Sequence, residues 1–516
     1  MSYGYTGNIL HLDLSTKETC VEHPKEEFYR TYWGGRALAL YYMLKEMKSY
    51  IEPLSPDNLL IFAPSVITGT PAPAIPRYTV CAKSPLTGAE GESEAGGWWG
   101  PELKKAGFDA IIIKGSSTTP VYLYIKDNKV EIKDAAHFWG KDTGTTQQII
   151  KEELADDKVR ISQIGPAGEN LVRFANIVNE LKHFNGRNGL GAVMGSKKLK
   201  AIAVRGTKPI SLYNKEKIKE ISKQIASKIL NNPLSRNFRK FGTVTGIASI
   251  YKAGWLPTNN WSTNDFTKGE NLTAETYNKI ILKGTKGCYA CPIRCKRVVE
   301  IDEPSFKVDP IYGGPEYEAV VSFGSLCGVS DLKYIAKANE LCNKYTMDVI
   351  STATTIAFSM QCYQEGILTK EDTEGIELNF GNKEAILKIV EMIAHRKGLG
   401  NLLAEGSYRA AQKIGKGADK FIRQVKGQEV PMHDPRVKIG VGLQYALSDY
   451  GANHMKAAHD SYFKDKDSWG VKEMKGLGIL GPVSPIDIGQ NKVALFKLLD
   501  IYWSLLDTLG VCDFGY

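Results

Sequence analysis

Three cysteines within eight residues, Cys288, Cys291 and Cys295 in a C-x2-C-x3-C run, constrain this chain more than any other feature of its sequence. Thiols so close together cannot all pair as disulfides. As thiolates they can wrap one corner of an iron–sulfur cluster when a fourth arrives from elsewhere in the fold. Cys512, in Asp507-Thr-Leu-Gly-Val-Cys, is the candidate for the fourth. Gly287 before the first cysteine and Pro292 after the second favour a turning backbone on which the sulfurs converge. A zinc site with four cysteine ligands is the main competitor. Zinc sites usually present two short C-x2-C pairs, whereas here the fourth ligand stands alone, so the spacing favours a cubane cluster. Radical enzymes that use S-adenosylmethionine show the reverse order, C-x3-C-x2-C, which disfavours that class.

The other five cysteines, Cys20, Cys81, Cys327, Cys342 and Cys362, are scattered and read as buried free thiols in a reducing cytosol. With 516 residues the chain exceeds one ordinary core, and about three domains are expected. Hydrophobic residues make up 43% and charged residues 24%, a globular balance that excludes disorder. No apolar run approaches the roughly 20 residues that cross a bilayer, so no membrane span is expected. The opening MSYGYTGNILHLDLST has no basic segment followed by an apolar stretch, so no secretory signal is expected either. A net charge of +9 is mild for this length and reads as a solvated surface, with docking of an acidic electron carrier as the alternative. No motif supports nucleic-acid binding.

Residues 1–210 read as strand-rich. Leu10, Leu12 and Leu14 alternate with polar neighbours, and short apolar runs recur at 59–63, 78–82, 109–114, 159–164 and 199–205. Asp127-Asn128 between 121–126 and 129–133 predicts a hairpin. No βαβ unit carries a glycine fingerprint, so a nicotinamide-binding domain is unsupported. From about Lys215 the pattern turns helical. Asp331 is placed to cap a helix with Leu332, Ile335, Ala338, Leu341 and Tyr345 on one face, and further helices are predicted over 351–365, 384–412 with a break at Gly398 and Gly400, and 493–509. The expected domains are 1–210, 211–417 and 418–516, in an α+β chain whose β-rich first domain precedes two mainly helical ones.

Three glycine-bearing stretches, around Arg77, over Glu94–Gly100 and over Gly186–Gly195, permit close backbone approach to a ligand. Each alone is weak, since most such glycines make turns. Beside the cysteine run they favour a large phosphorylated cofactor. Together the blocks Ser84-Pro-Leu-Thr-Gly88, Gly100-Pro-Glu-Leu, Gly165-Pro-Ala-Gly-Glu169, Gly189-Leu-Gly-Ala-Val-Met-Gly195, Cys288-Tyr-Ala-Cys-Pro292, Gly314-Pro-Glu-Tyr-Glu318, Asp434-Pro-Arg436 and Asp507–Cys512 closely resemble the aldehyde ferredoxin oxidoreductases, tungsten or molybdenum bis-pterin enzymes.

That resemblance covers essentially the whole chain. It implies a half-barrel-like first domain holding two pterins around one metal, tungsten or molybdenum, with Mg2+ bridging the pterin phosphates. Arg77, Glu94, Ala95, Gly96 and Gly97 are then expected at the cofactor. So are Gly186, Arg187, Asn188, Gly189 and Gly191, with Asn343, Asp348, Asp507 and Val511. Cys288, Cys291, Cys295 and Cys512 are the implied ligands of a 4Fe–4S cluster. Glu318 and His454 are implied as catalytic residues beside the metal, one polarising the substrate oxygen and the other moving the proton. Outside the family blocks a lone glutamate is usually solvated and a lone histidine usually structural; His433 and His459 are nearby alternatives. The implied reaction turns an aldehyde and water into a carboxylic acid, with electrons passing to ferredoxin or a ferredoxin-like iron–sulfur subunit, in a homodimer or hetero-oligomer.

The chain departs from the family pattern in places. Asn343 replaces an aspartate, Lys337 and Glu340 stand where the family holds an interface iron, His183 replaces an arginine near the phosphates, and Glu94 replaces a small amide. No interface iron is therefore expected. Family members also continue beyond the position of Tyr516. The rival readings are an aromatic-ring thioester reductase subunit of the same family and a catalytically inactive electron-transfer or scaffold homologue.

Overall fold

A computed structural model describes residues 3–457, 459–479 and 481–515. Twelve strands of the first 205 residues form two six-stranded sheets. They are β1 Ile9–Asp13, β2 Glu18–Glu22, β3 Leu60–Pro64, β4 Tyr78–Lys83, β5 Glu90–Ala95, β6 Ala110–Lys114, β7 Val121–Lys126, β8 Lys129–Asp134, β9 Arg160–Gln163, β10 Ile177–Asn179, β11 His183–Asn185 and β12 Leu199–Arg205. The orders are β2-β1-β6-β3-β4-β5 and β11-β10-β9-β12-β7-β8. Each sheet has one parallel pair, β1 with β6 and β12 with β7, among antiparallel ones. Central strands such as β3 and β6 are buried on both faces, which explains why they read as continuous apolar runs. The predicted hairpin forms, with Asp127 and Asn128 at φ 45° and 71°, the left-handed pair that a two-residue turn requires.

Inward faces of the two sheets share one core. Leu10, Phe62 and Tyr78 from the first meet Leu123, Ile202 and Val204 from the second, around Trp99 and Val193 of two short helices. The outer face of the first sheet is covered by the helix Gly35–Glu46 through Leu38, Ala39 and Tyr42. Polar, exposed β2, together with β5, β10 and β11, escaped the sequence reading because none carries an apolar alternation. Cys20 lies on β2 and is exposed, contrary to the expectation of a buried thiol; the other four scattered cysteines are buried.

The remainder is mainly helical. Asp331 caps Leu332–Tyr345 by accepting from the Lys333 N–H. The next helix runs Val349–Gln364 rather than from Ser351. It starts earlier because Asp348 accepts hydrogen bonds from the N–H groups of Ile350 and Ser351. Buried almost all round, it forms the spine of the largest core. Among the described residues no single helix is long and apolar enough to cross a membrane.

The last helix, Gln490–Leu509, ends at Gly510, which has φ 64° and sits so close to the Arg77 carbonyl that a Cβ would lie 2.9 Å from it. Ser65 donates to the Leu509 carbonyl and Cys512 N–H to the Ala74 carbonyl. Residues distant in the chain are thereby joined, and Cys512 is delivered to the first domain.

Candidate active site

The cysteine run lies between the strands Leu282–Lys286 and Lys296–Val299, an antiparallel pair. Arg297 is 1% exposed and anchors this loop by donating to the carbonyls of Arg239, Lys240, Arg294 and Cys295. Charged donors of this type contribute about 1.5–3 kcal/mol each, and unpaired buried carbonyls add to the cost of losing them. Arg297→Met is therefore expected to lower the thermal midpoint and to release iron on gel filtration, whereas parent-like iron retention would show that the loop holds itself.

Cys288, Cys291, Cys295 and Cys512 line one cavity of about 730 Å³, and all four are free thiols. Among the described residues no three of these sulfurs lie within 4.8 Å of one another. Four sulfurs around one zinc ion sit about 3.8 Å apart at Zn–S distances of about 2.3 Å. As placed, the sulfurs do not show the close spacing of a single tetrahedral ion. Gly96 is needed here, because a Cβ would stand 2.8 Å from the Cys288 sulfur. Burial pushes the Cys288 and Cys291 thiols up, and Cys295 well up, while the Lys296 ammonium opposes this at Cys288.

Arg77 reaches the same cavity, with Nη1 3.0 Å from Glu94 Oε2 and Nη2 3.6 Å from Cys512 Sγ. Burial raises the Glu94 carboxyl despite Arg77, and raises Asp507 well above the usual carboxylate range, helped by Glu94 and Asp513. Both Asp513 oxygens are buried without a hydrogen-bond partner. Glu94 and Asp513 flank the Arg77 guanidinium, and Asp507 lies near both carboxylates, so acceptors outnumber donors, an environment that suits a ligand bearing N–H donors or a divalent cation.

Glu318, on the buried helix Tyr317–Phe323, accepts from the Met432 N–H through Oε2 at 2.9 Å. Its Oε1 lies 3.5 Å from His454 Nε2 and 3.2 Å from His433 Nε2. That oxygen, and His454 Nδ1, are buried without a hydrogen-bond partner. Burial pushes the Glu318 carboxyl up and the His454 imidazole down, each partly offset by the other. His433 is therefore at least as close to Glu318 as His454 is, and its ring stacks on Tyr317 with centroids 4.8 Å apart. The signal for it was Asp434-Pro-Arg436, since His433 immediately precedes that block. Lys438, Lys296 and Asp513 were not singled out; the latter two directly follow Cys295 and Cys512 in the chain.

Several of the expected residues also make contacts within the fold. Arg187 contacts Asp348 (Nε to Oδ2, 3.1 Å) and donates to the carbonyls of Ala452 and Glu429 at 2.6 Å, so it ties the first domain to the last. Gly189 and Gly191 are packing glycines: a Cβ would lie 2.0 Å from the Arg173 carbonyl oxygen and 2.2 Å from that of Asn176. Asn188 donates to the Glu92 carbonyl, and Val511 packs with Ile75 and Leu506. Asn343 donates to the Tyr312 carbonyl and, with Gly186 and Asp348, lines a separate cavity of about 110 Å³. Ala95 is buried at the end of β5, and Gly97 takes φ 95° beside Asn179 and His183. His183 lies with Nδ1 3.7 Å from the Cys288 sulfur, so its neighbour is the cysteine set. Glu340 is 2% exposed and paired with Lys337 at 2.7 Å and Lys344 at 3.1 Å. An iron bound there must displace two ammonium groups, and no iron anomalous peak is expected beside Glu340.

The family model for the N-terminal domain of aldehyde ferredoxin oxidoreductase matches residues 9–206, and the model for domains 2 and 3 matches 220–516. Tungsten-containing aldehyde ferredoxin oxidoreductases of Thermococcus kodakarensis and Pyrococcus furiosus are 41% and 39% identical over 514 and 517 residues, 99% of this chain and 82% of each relative. The aliphatic sulfonate oxidoreductase WOR-like subunit of Pyrococcus furiosus is 32% identical over 480 residues, 88% of this chain and 76% of that relative. Among solved structures, the active-site complex BamBC of benzoyl coenzyme A reductase with 1,5-dienoyl-CoA superposes with a TM-score of 0.85 at 27% identity, covering 100% of this chain and 82% of that one. Two contiguous family matches and near-full-length identity of about 40% lead to one conclusion: the chain belongs to the aldehyde ferredoxin oxidoreductase family.

Proposed function

We propose that this protein oxidises an aldehyde and water to a carboxylic acid at a tungsten bis-pterin centre and passes the electrons through a 4Fe–4S cluster to ferredoxin or a ferredoxin-like iron–sulfur subunit. The observation that carries this reading is a single cavity lined by the four cysteines and by Glu318, His433 and His454. Electron relay and proton handling would therefore share one cavity.

Arg77, the Glu94–Gly97 turn, Asp507 and Val511 would hold one pterin, and the excess acid of Glu94, Asp507 and Asp513 would accept its N–H donors or a Mg2+ ion. Gly186, Asn343 and Asp348, which line the smaller cavity, would contact the other. When bound, the tungsten pterin group supplies two-electron oxidation of the aldehyde carbon. Glu318, poorly solvated and so a stronger base than a surface glutamate, takes a proton from the water or hydrate hydroxyl. His454 and His433 face the same carboxylate oxygen and steady the substrate oxygen by hydrogen bonding. The proposed domains 1–210, 211–417 and 418–516 share these tasks: the first supplies Arg77 and the Glu94–Gly97 turn, the second the cysteine loop and Glu318, and the third His433, His454, Asp507 and Cys512.

Protein purified without oxygen should contain tungsten, with iron and acid-labile sulfide each near about four per chain, and should reduce a viologen dye when given an aldehyde. Stoichiometric zinc with little iron would sink the cluster assignment. Full metal content with no response to free aldehydes would favour the thioester reductase reading, which the BamBC likeness motivates. Absence of tungsten and pterin would favour the scaffold reading.

A further inference from the structure

Glu318 Oε1 has two histidine nitrogens at 3.2 and 3.5 Å, and all three ligand atoms lie within 4.8 Å of one another. Ligands around tetrahedral zinc at about 2.0–2.1 Å stand roughly 3.3 Å apart, and two histidines with one glutamate is a common zinc set when a fourth position is open. The cavity supplies that open position. By spacing alone, an acid–base site of this design is a trap for stray zinc.

Lys438 sits against it. It is 6% exposed, and its Nζ lies 3.3 Å from His433 Nδ1 and 3.5 Å from His459 Nδ1. An ammonium only donates, so both Nδ1 atoms accept. His459 gives an independent check: its Nε2 lies 3.0 Å from the His454 carbonyl oxygen, which only accepts, so Nε2 carries the proton. The same reasoning places the proton of neutral His433 on Nε2, the atom that faces Glu318. Burial and the Lys438 charge hold His433 well below the usual imidazole range, in keeping with a neutral ring. Burial draws Lys438 down to about 8 while Asp460, Glu318 and Asp434 oppose the shift, so it remains largely protonated at neutral pH.

We propose that Lys438 is a positioning residue that fixes His433 as the Nε2–H tautomer, so that the substrate oxygen meets a hydrogen-bond donor and divalent metal ions meet no free lone pair. A metal-ligating histidine presents a bare nitrogen and commonly donates its other N–H to a carboxylate or carbonyl; Lys438 enforces the opposite arrangement. Its positive charge also disfavours a cation in the Glu318–His433–His454 set.

This inference rests on the aldehyde-oxidation reading for its kinetic arm only. The holoenzyme is compared with its Lys438→Met variant at pH 7, by steady-state kinetics with and without added zinc and by equilibrium dialysis against zinc. At unchanged tungsten and iron content, Lys438→Met is expected to lower kcat about 10-fold or more with KM within about 3-fold, as loss of an oriented donor does. It is also expected to bind one further zinc and to be inhibited at zinc concentrations at least about 10-fold lower than the parent, in line with the 10–100-fold effect of outer-shell partners on metal affinity. Adding His433→Phe to the variant should abolish the extra zinc. If the methionine variant fails to retain tungsten, Lys438→Gln, neutral but still polar, carries the same measurements. Either variant with full cofactor, parent kcat and parent zinc binding overturns the assignment. Zinc dialysis needs no turnover, so a failure of the aldehyde assay in the parent leaves this test intact and separate.

Discussion

Glu318→Gln lowers kcat for aldehyde oxidation by about 10²–10⁴, the usual worth of a positioned acid–base group, while tungsten, pterin and iron content stay at the parent level. The carboxylate is buried, and one of its oxygens has no hydrogen-bond partner among the described residues. Nothing in the fold depends on that oxygen carrying charge, and glutamine preserves the shape. The Oε2 contact with the Met432 N–H survives if the amide keeps its oxygen there. Because burial raises the Glu318 pKa, the acid limb of the parent pH–rate profile is expected above the ordinary glutamate range, and the glutamine variant should flatten it. His454→Asn also lowers kcat, by a smaller factor, because His433 still faces the same oxygen at 3.2 Å. Parent rates from both variants at full metal content would falsify the assignment.

Cys512→Ser has a different signature. A serine hydroxyl stays protonated where a thiol is readily ionised by iron, so the proposed cluster would lose the ligand it is proposed to draw from outside the 288–295 loop. Iron and acid-labile sulfide per chain are expected to fall together, and ferredoxin reduction to fall by more than the roughly 100-fold that loss of an outer-shell partner costs. Glu318→Gln should leave the electron paramagnetic resonance signal of the reduced cluster in place, whereas Cys512→Ser should remove or reshape it. A serine variant with parent iron content and parent ferredoxin reduction excludes Cys512 as a ligand.

Much of the architecture was legible because it is local. The β3, β4, β6 and β12 runs, the Asp127-Asn128 hairpin and the Asp331 cap follow from patterns that span a few residues, and each forms where the pattern lies. Helix boundaries slipped where a cap was not recognised, as at Asp348. Strands β2 and β5 were invisible because edge strands and polar, ligand-facing strands lack the apolar alternation that identifies strands.

The cysteine spacing, read alone, pointed to a multi-ligand sulfur site and to the thiols that would compose its local part. Local patterning determined a β-rich lobe followed by helices. Tertiary structure alone decided how long-range neighbours divide the work. The last helix docks through Ser65, Ala74 and the glycine at 510, and only that docking sets Cys512 beside Arg77. Arg187 and Asp348, far apart in the sequence, lie against each other, because a buried guanidinium and carboxylate find mutual neutralisation cheaper than separate burial. His433 and Lys438 are ordinary residues in the sequence. Their importance arises when the 433–459 segment folds over Glu318, which is 115 positions before His433, and burial turns four polar side chains into one coupled group. Spacing along a chain reports what one short segment can do; coupling between segments depends on distances that only the packed core defines.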